Sequence, residues 1–384
     1  MILPIRKFVS PEIIFGEGAI ELLPQYVLNF NASRVFIVTD QGIIDAGWLN
    51  RVTSMFIDVG IVFSVFSSLH ENPRDTEVME GARQYKDSGC DVIVALGGGS
   101  PMDCAKAIGI VSTNRRHILE FEGVDNVDVP GPPLICIPTT AGSAADVSQF
   151  AIINNPAERI KIAVISKSMV PDVALIDPLT TITMGHHLTV STGLDALVHA
   201  IEAYVSIASS ALTDLHAFEA IRLIQKYLPL ILDDLSNHFI REKIMLASLQ
   251  AGLAFSNASL GAVHAMAHSL GGFYEFSHGE CNGLLLEHVI AYNYDSAPKR
   301  YDRIGQVFGA AVQKGTAQEK CAATAKALRM FRESVGVSGT LAKQGVSHAD
   351  IPVLAKKALA DPCMLTNPKR PTLRDIEDIY EKAL

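Results

Sequence analysis

The sequence predicts an α/β amino-terminal domain built on a parallel, Rossmann-like sheet, followed by an all-helical carboxyl-terminal domain. Three observations carry this reading. Apolar, β-branched runs alternate with helix-like stretches as far as about residue 184. From about His186 the strand pattern stops and helical periodicity continues to the end of the chain. A glycine run also stands between an apolar strand and a helix, the arrangement of a nucleotide-binding turn. A length of 384 residues suits two cores better than one. The expected division is 1–184 for the nucleotide-binding domain and 185–384 for the helical one.

The strands come first. Arg34–Thr39 is a β-branched run that ends at Asp40-Gln41-Gly42, and Ile61–Phe66 is a second candidate, followed by a turn with Asn72-Pro73. Thr76–Ser88 reads as helix. Asp91–Leu96 is continuously apolar, as a strand buried on both faces of a parallel sheet must be. Gly97-Gly98-Gly99-Ser100 follows, and Pro101 suits the first turn of the next helix. Further strands are expected at Pro133–Ile137, Ile162–Ile165 and Val173–Ile176. In such a sheet the ligand sits at the carboxyl ends of the strands.

The glycine run lets backbone approach a phosphate, and free N–H groups at the helix start face the anion. Asp40, just after the first strand, is either the carboxylate that holds an adenosine ribose, favouring NAD over NADP, or a surface turn residue before Gly42. Pro138-Thr139-Thr140-Ala141-Gly142-Ser143 is either a second cofactor-contacting turn or a polar loop.

In the second half, helices are expected at Leu188–Ser206, Leu212–Leu228, Ile240–Phe255, Ser259–Tyr274, Leu284–Tyr292, Ala317–Val335, Ile351–Ala360 and Leu373–Ala383. Two stretches stand out. STGLDALVHAIEAY places Asp195 and His199 at i and i+4, on one helix face. GAVHAMAHSLGGFYEFSHG repeats that spacing with His264 and His268 and adds His278. One carboxylate and several imidazoles in apolar surroundings suit a divalent transition metal. A single histidine on an apolar face is more often a hydrogen-bonded core residue; the acidic partner and the further imidazoles are what raise the metal reading here. Spacing alone leaves His264 and His268 equivalent. The natural place for a cofactor to meet such a metal is a cleft between the domains.

Composition excludes several classes. Hydrophobic residues make up 48% and charged residues 19%, which fits a compact chain rather than a disordered one. A formal charge of −9 argues against a nucleic-acid partner. The six cysteines, Cys90, Cys104, Cys136, Cys281, Cys321 and Cys363, form no CxxC pair, so neither a disulfide framework nor a thiolate zinc site is expected. The start has no apolar run of signal-peptide type, and no stretch has the length of a membrane span. A soluble, cytoplasmic protein is expected.

Taken together, GGGSPMDCAK, PTTAG, TGLDALVHAIEAYVS and HAMAHSLGGFYEFSHGECN resemble the iron-containing (group III) alcohol dehydrogenase family. The resemblance runs from Phe15-Gly16-Glu17-Gly18 to Asn367-Pro368. It implies the dehydroquinate synthase-like fold of that family and, commonly, a homodimer or a higher homo-oligomer. It implies a divalent metal, usually Fe²⁺, with Zn²⁺ or another ion as the alternative, held by one aspartate and three histidines. Matched position by position, these are Asp195, His199, His264 and His278. His268 then matches a histidine near substrate and nicotinamide, as a proton relay or as an orienting group. On the cofactor side the resemblance implicates Asp40, Asn72, Gly97, Gly98, Gly99, Ser100, Asp103, Thr139, Thr140, Lys161 and Leu179. The implied reaction is hydride transfer between a small primary alcohol or aldehyde and NAD, with the metal as Lewis acid.

The chain departs from the family pattern at several points. PTTAGTGSEV is usual where this chain has PTTAGSAADV, so Ala144, Ala145 and Asp146 remove flexibility, a hydroxyl and a methylene beside the cofactor. Gly185, Ser277 and Glu287 each stand where proline is usual. Two other readings are a zinc-dependent polyol dehydrogenase of the glycerol type and a non-catalytic regulatory member of the same fold. The 13-residue spacer between His264 and His278 favours the alcohol dehydrogenase.

Overall fold

The computed structural model describes residues 6–274 and 276–384. The first five residues of the start searched for a leader, and Glu275 in the histidine-rich stretch, lie outside them. The chain divides into two compact units, one spanning Val9–Met184 and the other including Gly185–Leu384.

The first unit is a six-stranded sheet, parallel throughout. Its strands are β1 (Glu12–Phe15), β2 (Arg34–Val38), β3 (Val62–Phe66) and β4 (Val92–Gly97), then β6 (Leu134–Pro138) and β9 (Val173–Ile176). A separate sheet holds β5 (Gly123–Val124), β7 (Phe150–Asn155) and β8 (Ile160–Ile165). The helices are α1 (Leu23–Asn29), α2 (Gln41–Asp45), α3 (Trp48–Val59), α4 (Asp75–Ser88) and α5 (Gly99–Asn114).

In space the main sheet runs β1-β9-β6-β4-β2-β3. The chain moves outward from β2 to β3, then returns to the other side of β2 with β4. The order therefore reverses between β2 and β4, and this switch point is where open α/β sheets bind ligands.

Burial explains why β4 is apolar at every position. Phe36, Val38, Ile93 and Ala95 pack under Val78 of α4 and Ala105 and Ile108 of α5. The alternate residues Val35, Ile37, Val92, Val94 and Leu96 pack on the other face against Val27 of α1 and Val52 and Phe56 of α3. With both faces covered, a polar residue would lose its water without gaining a partner. The edge strands β1 and β3 are only partly buried and more mixed in sequence.

One expectation needs correction. The run 162–165 is a strand, but it belongs to β8 in the small sheet, antiparallel to β7. Apolarity marks burial and not the sheet a strand joins; the partner β7, FAIINN, is not among the expected strands.

The second unit is helical: α6 (His186–Val205), α7 (Ala211–Ile231), α8 (His238–Ala258), α9 (Ala262–Tyr274), α10 (His278–Asn293), α11 (Pro298–Val307), α12 (Ala317–Ser334), α13 (Ile351–Ala360) and α14 (Leu373–Ala383). Side chains supply their starts: Ser210 with Thr213, Thr316 with Glu319 and Thr372 with Asp375 form reciprocal caps. From Thr189 on, α6 is buried almost all round except at Thr192, as befits a helix packed against α7, α8 and α10. Among the described residues no helix is long and apolar enough to cross a membrane.

Candidate functional site

In the first unit, the residues named for the cofactor collect at the carboxyl edge of the main sheet. Asp40 follows β2, Gly97–Ser100 end β4 and open α5, Thr139 and Thr140 follow β6, and Leu179 lies just past β9. Gly97 has φ +152°, and a Cβ there would stand 2.6 Å from Pro101. That position requires glycine. A Cβ on Gly98 would press on Thr140, and one on Gly99 on Ser143, each at 3.1 Å. The two turns are thus packed together. Thr39 and Thr139 are buried at the ends of β2 and β6, and neither hydroxyl has a protein partner. Buried hydroxyls rarely go unpaired, and two of them beside the switch point fit a polar ligand there.

The other named residues tie this edge together. Asp40 Oδ1 accepts the N–H of Ile43 at 3.0 Å and so caps α2. Lys161 Nζ donates to Asn72 Oδ1 at 2.6 Å, and Asn72 N donates to Ser100 Oγ at 3.1 Å. Asp103 Oδ2 accepts from the Ile152 N–H at 3.1 Å. Burial pushes the Asp103 carboxyl up to about 6, with Lys106 pulling the other way. Asp146 is likewise pushed up to about 6 by burial. Lys106 is fully satisfied by the Ser148 and Phe150 carbonyls and the Ser148 hydroxyl.

Ala144, where the family has glycine, holds φ +48° and is buried. An L-residue pays roughly 1–2 kcal/mol in that left-handed region, more than the roughly 0.4–1 kcal/mol by which glycine loosens the unfolded chain. Ala144→Gly is therefore expected to leave thermal stability unchanged or raise it by up to about 1 kcal/mol. A fall in the unfolding midpoint would contradict this.

In the second unit, α6, α9 and α10 bring the carboxylate and three imidazoles together. The Nε2 atoms of His264, His278 and His199 lie 3.5, 3.7 and 3.9 Å from one atom, Asp195 Oδ1. Four donors at about 2.0–2.2 Å from a single ion would stand roughly 3.3–3.6 Å apart in a tetrahedron. The separation from Asp195 Oδ1 falls in that range for His264 and slightly beyond it for His278 and His199; Asp195, His199 and His264 form the tight group, and His278 joins it through Asp195. The rings are braced: His199 lies stacked between Phe255 and His264, with centroids 4.3 and 4.4 Å away. Asn282 Nδ2 donates to Asp195 Oδ1 at 2.8 Å and lies 3.2 Å from His264 Nε2. Its amide thus reaches two of the lone pairs that a cation would share. Its own oxygen is buried with no partner.

The electrostatics also suit a cation. Burial disfavours the Asp195 carboxylate, but His199 and the other imidazoles outweigh it and hold the group well below the usual carboxylate range. Burial likewise disfavours a charged His264, yet hydrogen bonds to Asp195 and Glu202 raise it to about 9. The donor set therefore fits a divalent ion of intermediate hardness.

The geometry separates two histidines that spacing left equivalent. His268 points its Nδ1 at Asp361 Oδ2, 2.9 Å away, and its ring stacks on His278 with centroids 5.2 Å apart. Cys363 lies beside this pair, but burial and the Asp361 carboxylate push its thiol far up. Asp361 is already engaged, with Oδ1 capping Cys363 N at 2.8 Å.

Glu202, Asn282 and Asp361 went unread in the sequence. Glu202 could have been found, since Asp195, His199 and Glu202 are i, i+4 and i+7 on one face of α6. Asn282 is one turn past His278, but an amide carries little signal. Asp361 arrives from a distant segment and carries none. Ser277, in place of proline, bonds the Ser191 hydroxyl at 2.9 Å and so joins α10 to α6. Several remaining histidines have ordinary partners: His187 with Glu280, His216 with Gln250 and His288 with Glu287. Cys281 is a buried packing residue.

Comparison with known proteins adds the family. A model of the iron-containing alcohol dehydrogenases matches residues 10–178, and one of the C-terminal part of the Fe-containing alcohol dehydrogenase family matches 189–384. The chain belongs to the iron-containing alcohol dehydrogenase family. The dehydrogenase is 39% identical to alcohol dehydrogenase 4 of Saccharomyces cerevisiae over 376 residues, 98% of this chain and 97% of that one. It is 35% identical to the NAD-dependent methanol dehydrogenase of Bacillus methanolicus over 377 residues, 98% and 99% of the two chains. Its fold matches the crystal structure of a 1,3-propanediol oxidoreductase with a TM-score of 0.95 at 34% identity, covering 99% of this chain and all of that one. It is an oxidoreductase, a metal-dependent alcohol dehydrogenase.

Proposed function

We propose that this dehydrogenase oxidises small primary alcohols, or reduces the matching aldehydes, with Fe²⁺ and NAD. In this reading Asp195, His199, His264 and His278 hold the ion. The convergence of three imidazole Nε2 atoms on Asp195 Oδ1 carries the reading. When bound, the ion supplies Lewis-acid activation of the alcohol hydroxyl, and NAD supplies the hydride acceptor.

The chain's own residues do the rest. The Gly97–Ser100 turn and the start of α5 take the cofactor's phosphates. Asp40 holds the adenosine ribose, and Asn72, Asp103, Thr139, Thr140, Lys161 and Leu179 complete the cofactor contacts. His268 keeps its Nδ1–H on Asp361, which leaves Nε2 as the acceptor for a substrate proton. Relatives that act on methanol and use NAD, or that act on 1,3-propanediol, support a small alcohol and NAD. A cytoplasmic homodimer or larger homo-oligomer completes the reading.

Cofactor choice is testable at Asp40. Serine would keep the cap on α2 while removing the charge that binds a 2′-hydroxyl and repels a 2′-phosphate. A hydrogen bond to a charged group is worth roughly 1.5–3 kcal/mol. Asp40→Ser is therefore expected to lower kcat/KM with NAD by about 10-fold or more and to raise it with NADP. Equal effects on the two cofactors would count against Asp40 as the ribose partner.

A further inference from the structure

The carboxylate of Glu202 does two things at once. It caps the start of α9: Oε2 accepts the N–H groups of Gly261 at 3.0 Å and His264 at 3.3 Å, and Oε1 that of Val263 at 2.7 Å. Asn367 Oδ1 takes the remaining one, from Ala262, at 3.1 Å. The four N–H groups that a helix start leaves over are thus all satisfied. The same Oε2 lies 2.7 Å from Nδ1 of the His264 ring. Glu202 is 4% exposed and His264 1%. Gly261 is required for this fit, since a Cβ there would stand 2.9 Å from Glu202 Oε1.

A carboxylate is only an acceptor, so the ring nitrogen facing it must carry the proton. The Nδ1 proton of His264 is thereby held on Glu202, and Nε2 is the ring nitrogen turned toward Asp195. Because backbone and ring of His264 hang on one oxygen atom, the helix start and the donor nitrogen are held as one unit. The positive end of α9 and the His264 N–H together offset the buried charge of Glu202.

We propose that Glu202 is a positioning residue of the metal centre. It holds the Nδ1 proton and the ring direction of His264, so that Nε2 is the nitrogen turned toward the ion and the one whose proton an ion would replace. This rests on the reading of Asp195, His199, His264 and His278 as the metal-binding set. Outer partners of metal-bound histidines typically contribute 10–100-fold to metal affinity.

The test is Co²⁺ binding to metal-free full-length protein, followed by competition with a chelator and by the visible ligand-field spectrum. Wild type, Glu202→Gln, Glu202→Asp and Asn367→Ala are compared, with the unfolding midpoint of each metal-free form. Asn367 caps the same helix and bonds Asn293 and the Lys369 carbonyl but touches no donor, so Asn367→Ala reports the structural cost of losing a cap without loss of the bond to the His264 ring. Glu202→Gln is expected to weaken Co²⁺ binding 10–100-fold and to alter the spectrum. Asn367→Ala is expected to lower the midpoint while leaving Co²⁺ affinity within about threefold. Glu202→Asp keeps the charge, one methylene short, and is expected to recover part of the affinity. It also serves if the glutamine variant does not fold. Wild-type affinity in Glu202→Gln, or equal losses in Glu202→Gln and Asn367→Ala, would reduce Glu202 to a helix cap and overturn the proposal. Failure of the wild type itself to bind Co²⁺ would instead overturn the metal reading, and this proposal with it.

Discussion

Asp195→Asn is expected to abolish metal retention and alcohol oxidation together. Asp195 Oδ1 is the one atom that His199, His264 and His278 all approach, and it brings the negative charge of the donor set. Asparagine keeps the shape but offers a neutral oxygen or an N–H, and an N–H would point at imidazole lone pairs. Substitution of outer partners alone commonly costs 10–100-fold in affinity, so loss of the charged donor should cost at least about 100-fold. The fold should survive, because His264 keeps Glu202 and His199 keeps its place between aromatic rings. Metal content after anaerobic reconstitution checks the first part. NADH binding by fluorescence is expected to remain, since the residues proposed for the cofactor lie in the other unit. Full metal content in Asp195→Asn would remove Asp195 from the site.

The second large effect lies at Gly279. A Cβ there would overlap the carbonyl oxygen and carbon of Ser191 and crowd its hydroxyl. Two of these three atoms are backbone, in the second turn of α6, and cannot swing aside as a side chain would. The first turn of α10 must therefore lift from α6, and it carries His278, the preceding residue. Overpacking typically costs about 1–3 kcal/mol, and a displacement of about 1 Å at a reacting centre can cost about 100-fold in rate. Gly279→Ala is expected to lower the unfolding midpoint by several degrees and kcat/KM by about 100-fold. Gly283→Ala, on the same helix, is the contrast. Its Cβ would meet only the side chains of Arg332 and Leu194, at 3.3 Å, and it should be far milder. Similar behaviour of the two variants would show that the Ser191 contact does not hold His278 in place.

Much of this was legible in sequence, for identifiable reasons. β2, β4, β6 and β9 announce themselves because burial on both faces keeps them apolar beyond the exposed Arg34 that opens β2. β1 does not, being a four-residue, partly exposed edge strand. α10 begins at His278 and not near Leu284 as the periodicity suggests. Its first two turns contain Gly279 and Gly283, poor helix formers, and its start is held by the close approach of α6 and the bond between Ser191 and Ser277. α11 was missed because its sequence, PKRYDRIGQV, is mostly polar and buries only Tyr301, Ile304 and Gly305. At the site, Asp195 with His199 shows through i,i+4 spacing on one helix. His278 stands out in the histidine-rich stretch but gains its role only from the family resemblance, and Asp361 shows no signal, because both join through tertiary packing, which leaves no periodic trace. The choice of His264 over His268 needed either the family resemblance or the two opposed carboxylates, Glu202 and Asp361.

The most direct test of the central claim is the position of the ion itself, found by anomalous diffraction at the cobalt edge from crystals of the Co²⁺-loaded enzyme. The expected result is one strong peak about 2.0–2.2 Å from the Nε2 atoms of His199, His264 and His278 and from the Asp195 carboxylate. A peak at His268, Asp361 and Cys363, or no peak among the four proposed donors of a fully loaded enzyme, would contradict the account.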